Sequence, residues 1–302
     1  MLIGFGGPRN MGEVRLFLDS ILAVAKIPEE RIQEVIHHYE IFNGRSPYNE
    51  LTEHQRSALE AWFKHQDRPL PVYVGLRHSK PSFRETFLEL NKKGVKSVIG
   101  FVLSGFRSYA SYEKYIEKLE EAWKEAGVSN IQIKYTGPFY NNSLFVEAQA
   151  DRIKETLQKN SSIKLRETYF LFSAHSIPKT MSDKSGYADQ FQKTSSLIAQ
   201  RLKLEHWGIG TQSRSGSPRE SWLDPDVKEV IAKLDKNCFK NVVLIPVGFL
   251  CENIEILYDL DTEIKAFCDK NGFSYFRAGT VADHPKFIEM MGRQALDLWK
   301  GQ

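Results

Sequence analysis

Short runs of β-branched and aromatic residues alternate along the chain with longer stretches in which apolar positions recur every three or four residues. That alternation predicts βα units built around parallel sheets. Leu2 to Phe5 forms the first strand, closed by Gly6-Gly7-Pro8. After it Val14, Phe17, Leu18, Ile21 and Leu22 fall at i, i+3, i+4, i+7 and i+8, one apolar stripe on a helix. Further strands are predicted at Pro71 to Val74, Ser97 to Leu103, Ile131 to Tyr135, Thr168 to Phe172, Gly208 to Gln212, Val242 to Val247 and Ser274 to Arg277, with helices in most of the gaps.

Two segments share a pattern. Val95 to Leu103 followed by Ser104-Gly105-Phe106, and Lys240 to Val247 followed by Gly248-Phe249-Leu250, are each a strand ending in a loop with glycine beside an aromatic residue. The repetition predicts an α/β fold of two similar Rossmann-like domains, each a doubly wound parallel sheet, with the boundary near Pro138. Domains of 1–138 and 139–283 follow, packed together around a cleft, since no Gly/Pro/Ser-rich linker separates them. Chemistry is expected in the loops beyond the carboxyl ends of the strands.

The 302 residues, 41% hydrophobic and 26% charged, suit a soluble globular protein, and disorder, collagen-like structure and a disulfide scaffold are excluded. A net charge of +3 with no Lys/Arg block gives no footprint for nucleic acid. Cys238, Cys251 and Cys268 lack C-x-x-C spacing, which predicts buried thiols in a reducing compartment and too few ligands for a four-Cys iron–sulfur cluster in one chain. Met1 to Phe5 carries no basic region and too little apolar length for a signal peptide, so the expected location is the cytoplasm. The apolar run Val242 to Cys251, broken by Pro246 and Gly248, is too short to span a membrane and reads as a buried strand.

Three constellations could carry chemistry. His175, in Ser173-Ala174-His175-Ser176-Ile177-Pro178, directly follows an apolar strand, where an imidazole can accept a proton near neutrality, ligate a divalent metal, or simply cap the next helix. Glu255, Asp259 and Glu263 recur at i, i+4 and i+8, which on a helix stacks three carboxylates about 6 Å apart on one face. No Lys or Arg lies between Glu252 and Glu263 to offset their repulsion, so the line suits passage of a divalent cation, whereas an acidic helix start explains only Glu252 and Glu255. The loop Thr211 to Pro218, with Ser213 and Arg214, could hold a carboxylate or phosphate. The loop after the first strand has no G-x-G-x-x-G, which argues against a dinucleotide cofactor.

Taken in order, these segments resemble the ferrochelatase family. The resemblance runs through Gly6-Gly7-Pro8, Asn43 to Pro47, Val72 to His78, Phe172 to Pro178, Gln212-Ser213-Arg214 with Trp222-Leu223, and Pro246 to Phe249 leading into Ile254 to Asp261. It implies the chelatase fold, with a C-terminal helix at 284–302 packing back on the first domain, and insertion of Fe(II) into protoporphyrin IX or coproporphyrin III with release of two protons. By position, His175 matches the family's active-site histidine, expected here to act as the base, and Glu255 its acidic partner across the pocket. Asp259 and Glu263 match the carboxylates that guide metal inward. Phe5, Ser46, Arg77, His78, Ser213, Arg214 and Trp222 fall at porphyrin-binding positions, and the helix with Phe17, Leu18, Ile21 and Leu22 matches an apolar lip that in some members rests on a membrane. The implied partners are porphyrin and Fe(II) as substrates, with no tightly bound cofactor and no signal of oligomeric state.

Two positions depart from the family. Glu252-Asn253 stands where most members carry Asp-His, and Phe5 where relatives place a Tyr or Met facing the metal. They keep in view a porphyrin or haem carrier without catalysis. Because first-row divalent ions are discriminated by geometry and supply more than by affinity, a chelatase for another metal such as Co(II) and a different tetrapyrrole is a second alternative. A two-lobed solute-binding protein is a further alternative, disfavoured by the His/Glu pair.

Overall fold

The computed structural model describes residues 1–22, 29–128, 130–214 and 220–299, with the side chain of Arg31 left aside. The first sheet contains β1 (Leu2–Gly4), β2 (Val74–Leu76), β3 (Ser97–Val102) and β4 (Gln132–Tyr135), and the second β5 (Thr168–His175), β6 (Trp207–Gln212), β7 (Asn241–Ile245) and β8 (Ser274–Arg277). All pairs are parallel. The spatial orders are β2-β1-β3-β4 and β6-β5-β7-β8, the same winding twice. The two segments with a shared pattern are β3 and β7, which hold the same place in their sheets.

The helices are α1 (Met11–Leu22), α2 (Glu29–Glu40), α3 (Tyr48–His65), α4 (Phe83–Lys92), α5 (Lys114–Glu125), α6 (Ser143–Lys159), α7 (Lys179–Ser185), α8 (Tyr187–Leu202), α9 (Val227–Ala232), α10 (Lys265–Lys270) and α11 (Pro285–Trp299). Local sequence sets several starts. Ser82 and Glu85 close a capping box on α4, and the Asn142 side chain accepts from Leu144 N–H to start α6.

Alternating strand residues divide each sheet into two apolar faces. Ile3, Val98 and Val102 pack with α4 and α5, while Leu2, Phe101 and Leu103 pack with α3, α6 and α11. In the second sheet Phe170, Phe172 and Ala174 meet α6 and α8, whereas Leu171, Val242 and Leu244 meet α9 and α10. The last helix, α11, inserts Phe287, Ile288, Met290 and Met291 into the first-sheet cluster. Gly292 permits the close crossing with α3, because a Cβ there would stand 2.2 Å from the Trp62 ring.

Every predicted strand is a strand, with shifted ends. The second begins at Val74 instead of Pro71, since Pro71 has no N–H and the ladder with β1 starts at the pair Leu2 and Val74. The fifth runs on to His175, held by β6 as far as Gln212. Cys251 and Cys268 are buried, but Cys238 is exposed in the turn before β7, its thiol donating to Asp235 at 3.3 Å. That corrects the expectation of three buried thiols: the turn pairs Cys238 with a surface carboxylate, outside both sheets' cores.

Candidate active site

A cleft of about 520 Å³ opens at the carboxyl ends of the strands. Its walls are Phe5 after β1, the stripe Phe17, Leu18, Ile21 and Leu22 of α1, and His38 and Tyr39 of α2 on one side. His175, Gln212, Ser213, Arg214, Asp226, Lys228, Ile254, Glu255, Tyr258, Asp259 and Glu263 form the other. The size suits an organic ligand. A second, apolar cavity of about 400 Å³ lies near the amino ends of β1 and β3, and none of the candidate residues lines it.

β5 places His175 at the cleft floor. Its Nδ1 lies 2.6 Å from the Ser176 carbonyl, which can only accept, so Nδ1 carries a proton and Nε2 is the ring nitrogen left to face the cleft, with a lone pair whenever the imidazole is neutral. Nε2 stands 3.7 Å from Glu255 Oε2. Tyr187 O–H donates to the His175 carbonyl at 3.1 Å and fixes the strand end from α8. The loop after β7 lies directly on β5, because Gly248 lacks a Cβ that would stand 2.8 Å from Ala174 Cβ.

The acidic segment is a π-helix over Ile256–Ile264, not the α-helix its spacing predicts. Hydrogen bonds reach one residue further per turn, a form that recurs at functional sites. Ile256, Leu260 and Ile264 face the core while Glu255, Asp259 and Glu263 all line the cleft. The Asn253 carboxamide accepts from Ile256 N–H at 3.0 Å, so the residue at the departure from the family pattern caps this helix.

Distant residues supply the missing counter-charges. Lys228 of α9 pairs with Glu263 at 2.9 Å, and Arg277 of β8 binds Glu252 at 3.1 Å and Asp261 at 2.6 Å. Asp259 differs: burial, together with Glu255 and Glu263, pushes its carboxyl up to about 6, against a hydrogen bond donated by Ser213. Ser213 adopts a left-handed backbone (φ 59°), uncommon for a residue with a Cβ, and that strain aims its hydroxyl at Asp259. Among the described residues no His, Cys, Asp or Glu side chains converge into a closed metal-holding group. The cleft carboxylates are strung out along a line.

Thus Phe5, His175, Ser213, Arg214, Glu255, Asp259 and Glu263 come together. Four other residues singled out from the sequence do not line the cleft. Ser46 is buried beside Arg9, Arg45 and Lys80 in a separate pocket. Arg77 lies with its guanidinium 5.6 Å from the Tyr115 ring centre. His78 sits behind Phe5, ring centres 4.6 Å apart, with Ser20 Oγ 2.9 Å from Nδ1. Burial, then Arg77, lowers His78 to about 4, so it is neutral at physiological pH. Trp222 is buried under the loop after β5, its backbone bridging Pro178. The part of the Ser-rich loop at 215–218 lies outside the described residues.

Sequence reasoning missed His38, Tyr39 and Lys228. His38 stacks on Tyr258, centroids 3.5 Å apart and planes within 13°, joining α2 to the π-helix. Its signal was faint: a histidine at the margin of the stripe Ile32, Val35, Ile36 and Tyr39.

The chain matches the family model described as ferrochelatase over residues 1–296. It is 34% identical over 292 residues to a ferrochelatase of Rhodopirellula baltica, covering 96% of this chain and 83% of that protein. Coproporphyrin III ferrochelatases of Corynebacterium glutamicum and Staphylococcus aureus are each 31% identical, covering 96% and 95% of this chain and 81% and 94% of theirs. Among solved structures, SirB from Bacillus subtilis with Fe3+ aligns at a TM-score of 0.59 and 14% identity, covering 82% of this chain and 89% of that one. CbiX, the terminal enzyme of sirohaem biosynthesis in denitrifying bacteria, aligns at 0.56 and 11%, covering 83% and 93%. At such identities these two share the fold.

Proposed function

Since the chain belongs to the ferrochelatase family, we propose that it inserts Fe(II) into a free-base porphyrin in this cleft, with His175 and Glu255 handling the protons. The observation that carries the assignment of roles is His175 Nε2, left free by the Nδ1 bond to Ser176, facing Glu255 at the cleft floor. Insertion releases two pyrrole protons and changes no oxidation state, so it needs a base, a route for the metal and a shaped apolar slot, with no resident cofactor. His175 accepts the two pyrrole protons in turn at Nε2, and Glu255 passes each on towards solvent before the next is taken. Glu263, Asp259 and Glu255 offer Fe(II) successive oxygen ligands from the mouth inward, suited to a divalent cation in transit. A flat macrocycle shields its nitrogen lone pairs, and binding energy from the apolar walls can hold it distorted so that they are exposed.

Phe5 and the α1 stripe supply an apolar wall, and Arg214, on the opposite side, is a cationic group for a propionate, Lys228 being engaged by Glu263. Leu16, 72% exposed on α1, together with exposed Met11 and Ile41, supports a peripheral membrane contact at this lip. Three unpaired thiols suit the reducing cytoplasm. Among the described residues, no helix is long and apolar enough to cross a membrane.

The deciding experiment is anaerobic incubation with Fe(II) and either protoporphyrin IX or coproporphyrin III, following loss of free-base fluorescence. Many turnovers with one ring establish the activity and name its substrate. A single shift in proportion to protein, with no Fe(II), Co(II) or Zn(II) entering the ring, replaces this reading with a carrier.

A further inference from the structure

Gln212 is the last residue of β6 and the ladder partner of His175, so in this parallel pair the two side chains leave the same face of the sheet side by side. Its backbone carbonyl accepts from Ser176 N–H at 2.7 Å, which ties Gln212 to the residue that orients the imidazole. The side chain is 3% exposed and belongs to the cleft wall. Neither its amide oxygen nor its amide nitrogen has a hydrogen-bond partner. Glu255 Oε2, the oxygen facing His175, is likewise buried and makes no hydrogen bond. Buried carboxamides with both ends unpaired are rare in folded proteins, because desolvation is then uncompensated. The rest of β6 shows no such defect: Thr211, its neighbour, donates to the Leu223 carbonyl at 2.9 Å.

We propose that Gln212 reads the nitrogen core of the free-base ring, its amide oxygen accepting a pyrrole N–H and its amide N–H donating to an unprotonated ring nitrogen. The inference rests on the porphyrin reading above and deepens it. A free-base macrocycle carries two N–H donors and two nitrogen acceptors, and a carboxamide offers both complements on one planar group. Turning the side chain into the cleft breaks no existing hydrogen bond, since it makes none. Gln212 cannot take up a proton itself, which distinguishes it from His175 and Glu255. Once metal fills the ring, the N–H groups are gone and the lone pairs are bound to the ion, so both contacts vanish. The residue therefore favours substrate over product and helps the metallated ring to leave.

The test compares affinities of wild type and Gln212→Leu for one porphyrin in two forms, the free base and its Ni(II) complex, by tryptophan-fluorescence quenching. The expected result is a tenfold or greater loss for the free base with the Ni(II) form unchanged within twofold. Equal losses for both forms, or no loss for either, overturn the proposal, the first by showing a structural role. Should the leucine variant not fold, Gln212→Met carries the same comparison. The two readings fail separately. A wild type that binds both forms without turnover removes the chelatase reading while the affinity ratio still decides the role of Gln212. A wild type that turns over, with the ratio unmoved in the variant, removes the role of Gln212 alone.

Discussion

His175 Nε2 and Glu255 Oε2 face each other across 3.7 Å, while Nδ1 is held by the Ser176 carbonyl. The separation is longer than a hydrogen bond, and a small movement of either side chain brings the pair within reach for proton exchange. His175→Ala and Glu255→Gln should each lower kcat by roughly 10²–10⁴-fold, the usual share of a general base. Porphyrin affinity should change far less. Full activity of His175→Ala with porphyrin binding intact would show that another group takes the protons.

Asp259 connects the site to stability. Its folded value of about 6 lies above the ordinary 3.8, so the fold holds the proton more tightly than the unfolded chain does. Stability from the protonated form is complete below about 3.8 and lost as pH rises through about 6. Above that the ionised carboxylate costs on the order of 3 kcal/mol. Asp259→Asn should therefore gain thermal stability over wild type at pH 8 and little at pH 4, while slowing metal insertion. A stability difference that is flat between those pH values contradicts this account.

Lys228 occupies the outer end of the carboxylate line as a built-in cation on Glu263. Both side chains are more than two-fifths exposed, so the pair adds at most about 1 kcal/mol to folding. Its weight falls on the metal, which must displace the ammonium. Lys228→Gln should lower KM for Fe(II) several-fold with an unchanged melting temperature. An unchanged or higher KM would place the entry route elsewhere.

His78 sets an acid limit. Burial and Arg77 hold it at about 4 against an ordinary 6.5, so the fold keeps it neutral while the unfolded chain takes up a proton. The associated stability is complete above about 6.5 and is lost as pH falls through about 4. His78→Leu should flatten the fall in unfolding free energy between pH 6.5 and 4, by roughly 2–3 kcal/mol at the acid end, as read from denaturant melts. A variant that tracks wild type over that range would show that His78 titrates normally.

The register of the acidic segment was not legible in the sequence, because Ile256, Leu260 and Ile264 facing the core, and Glu255, Asp259 and Glu263 facing the cleft, repeat every four residues in either helical form. The wider turn is visible only in the hydrogen-bond pattern of the folded chain. His38 and Lys228 were invisible for another reason. Each comes from an element whose own pattern is that of an ordinary surface helix, and the chain path alone carries it to the cleft.

The strands, the repeated β3 and β7 pattern, the His175 loop and the spacing of Glu255, Asp259 and Glu263 are properties of neighbouring residues. Alternation and helical period write local structure and its buried face directly into the chain, so these were determined by the sequence itself. The ion pairs Lys228–Glu263 and Arg277–Asp261, the bond from Ser213 to Asp259 and the unpaired amide of Gln212 join residues many positions apart. Local periodicity says nothing of such pairs, because their distances depend on how two wound sheets bring their strand ends together. That was decided by the tertiary structure alone.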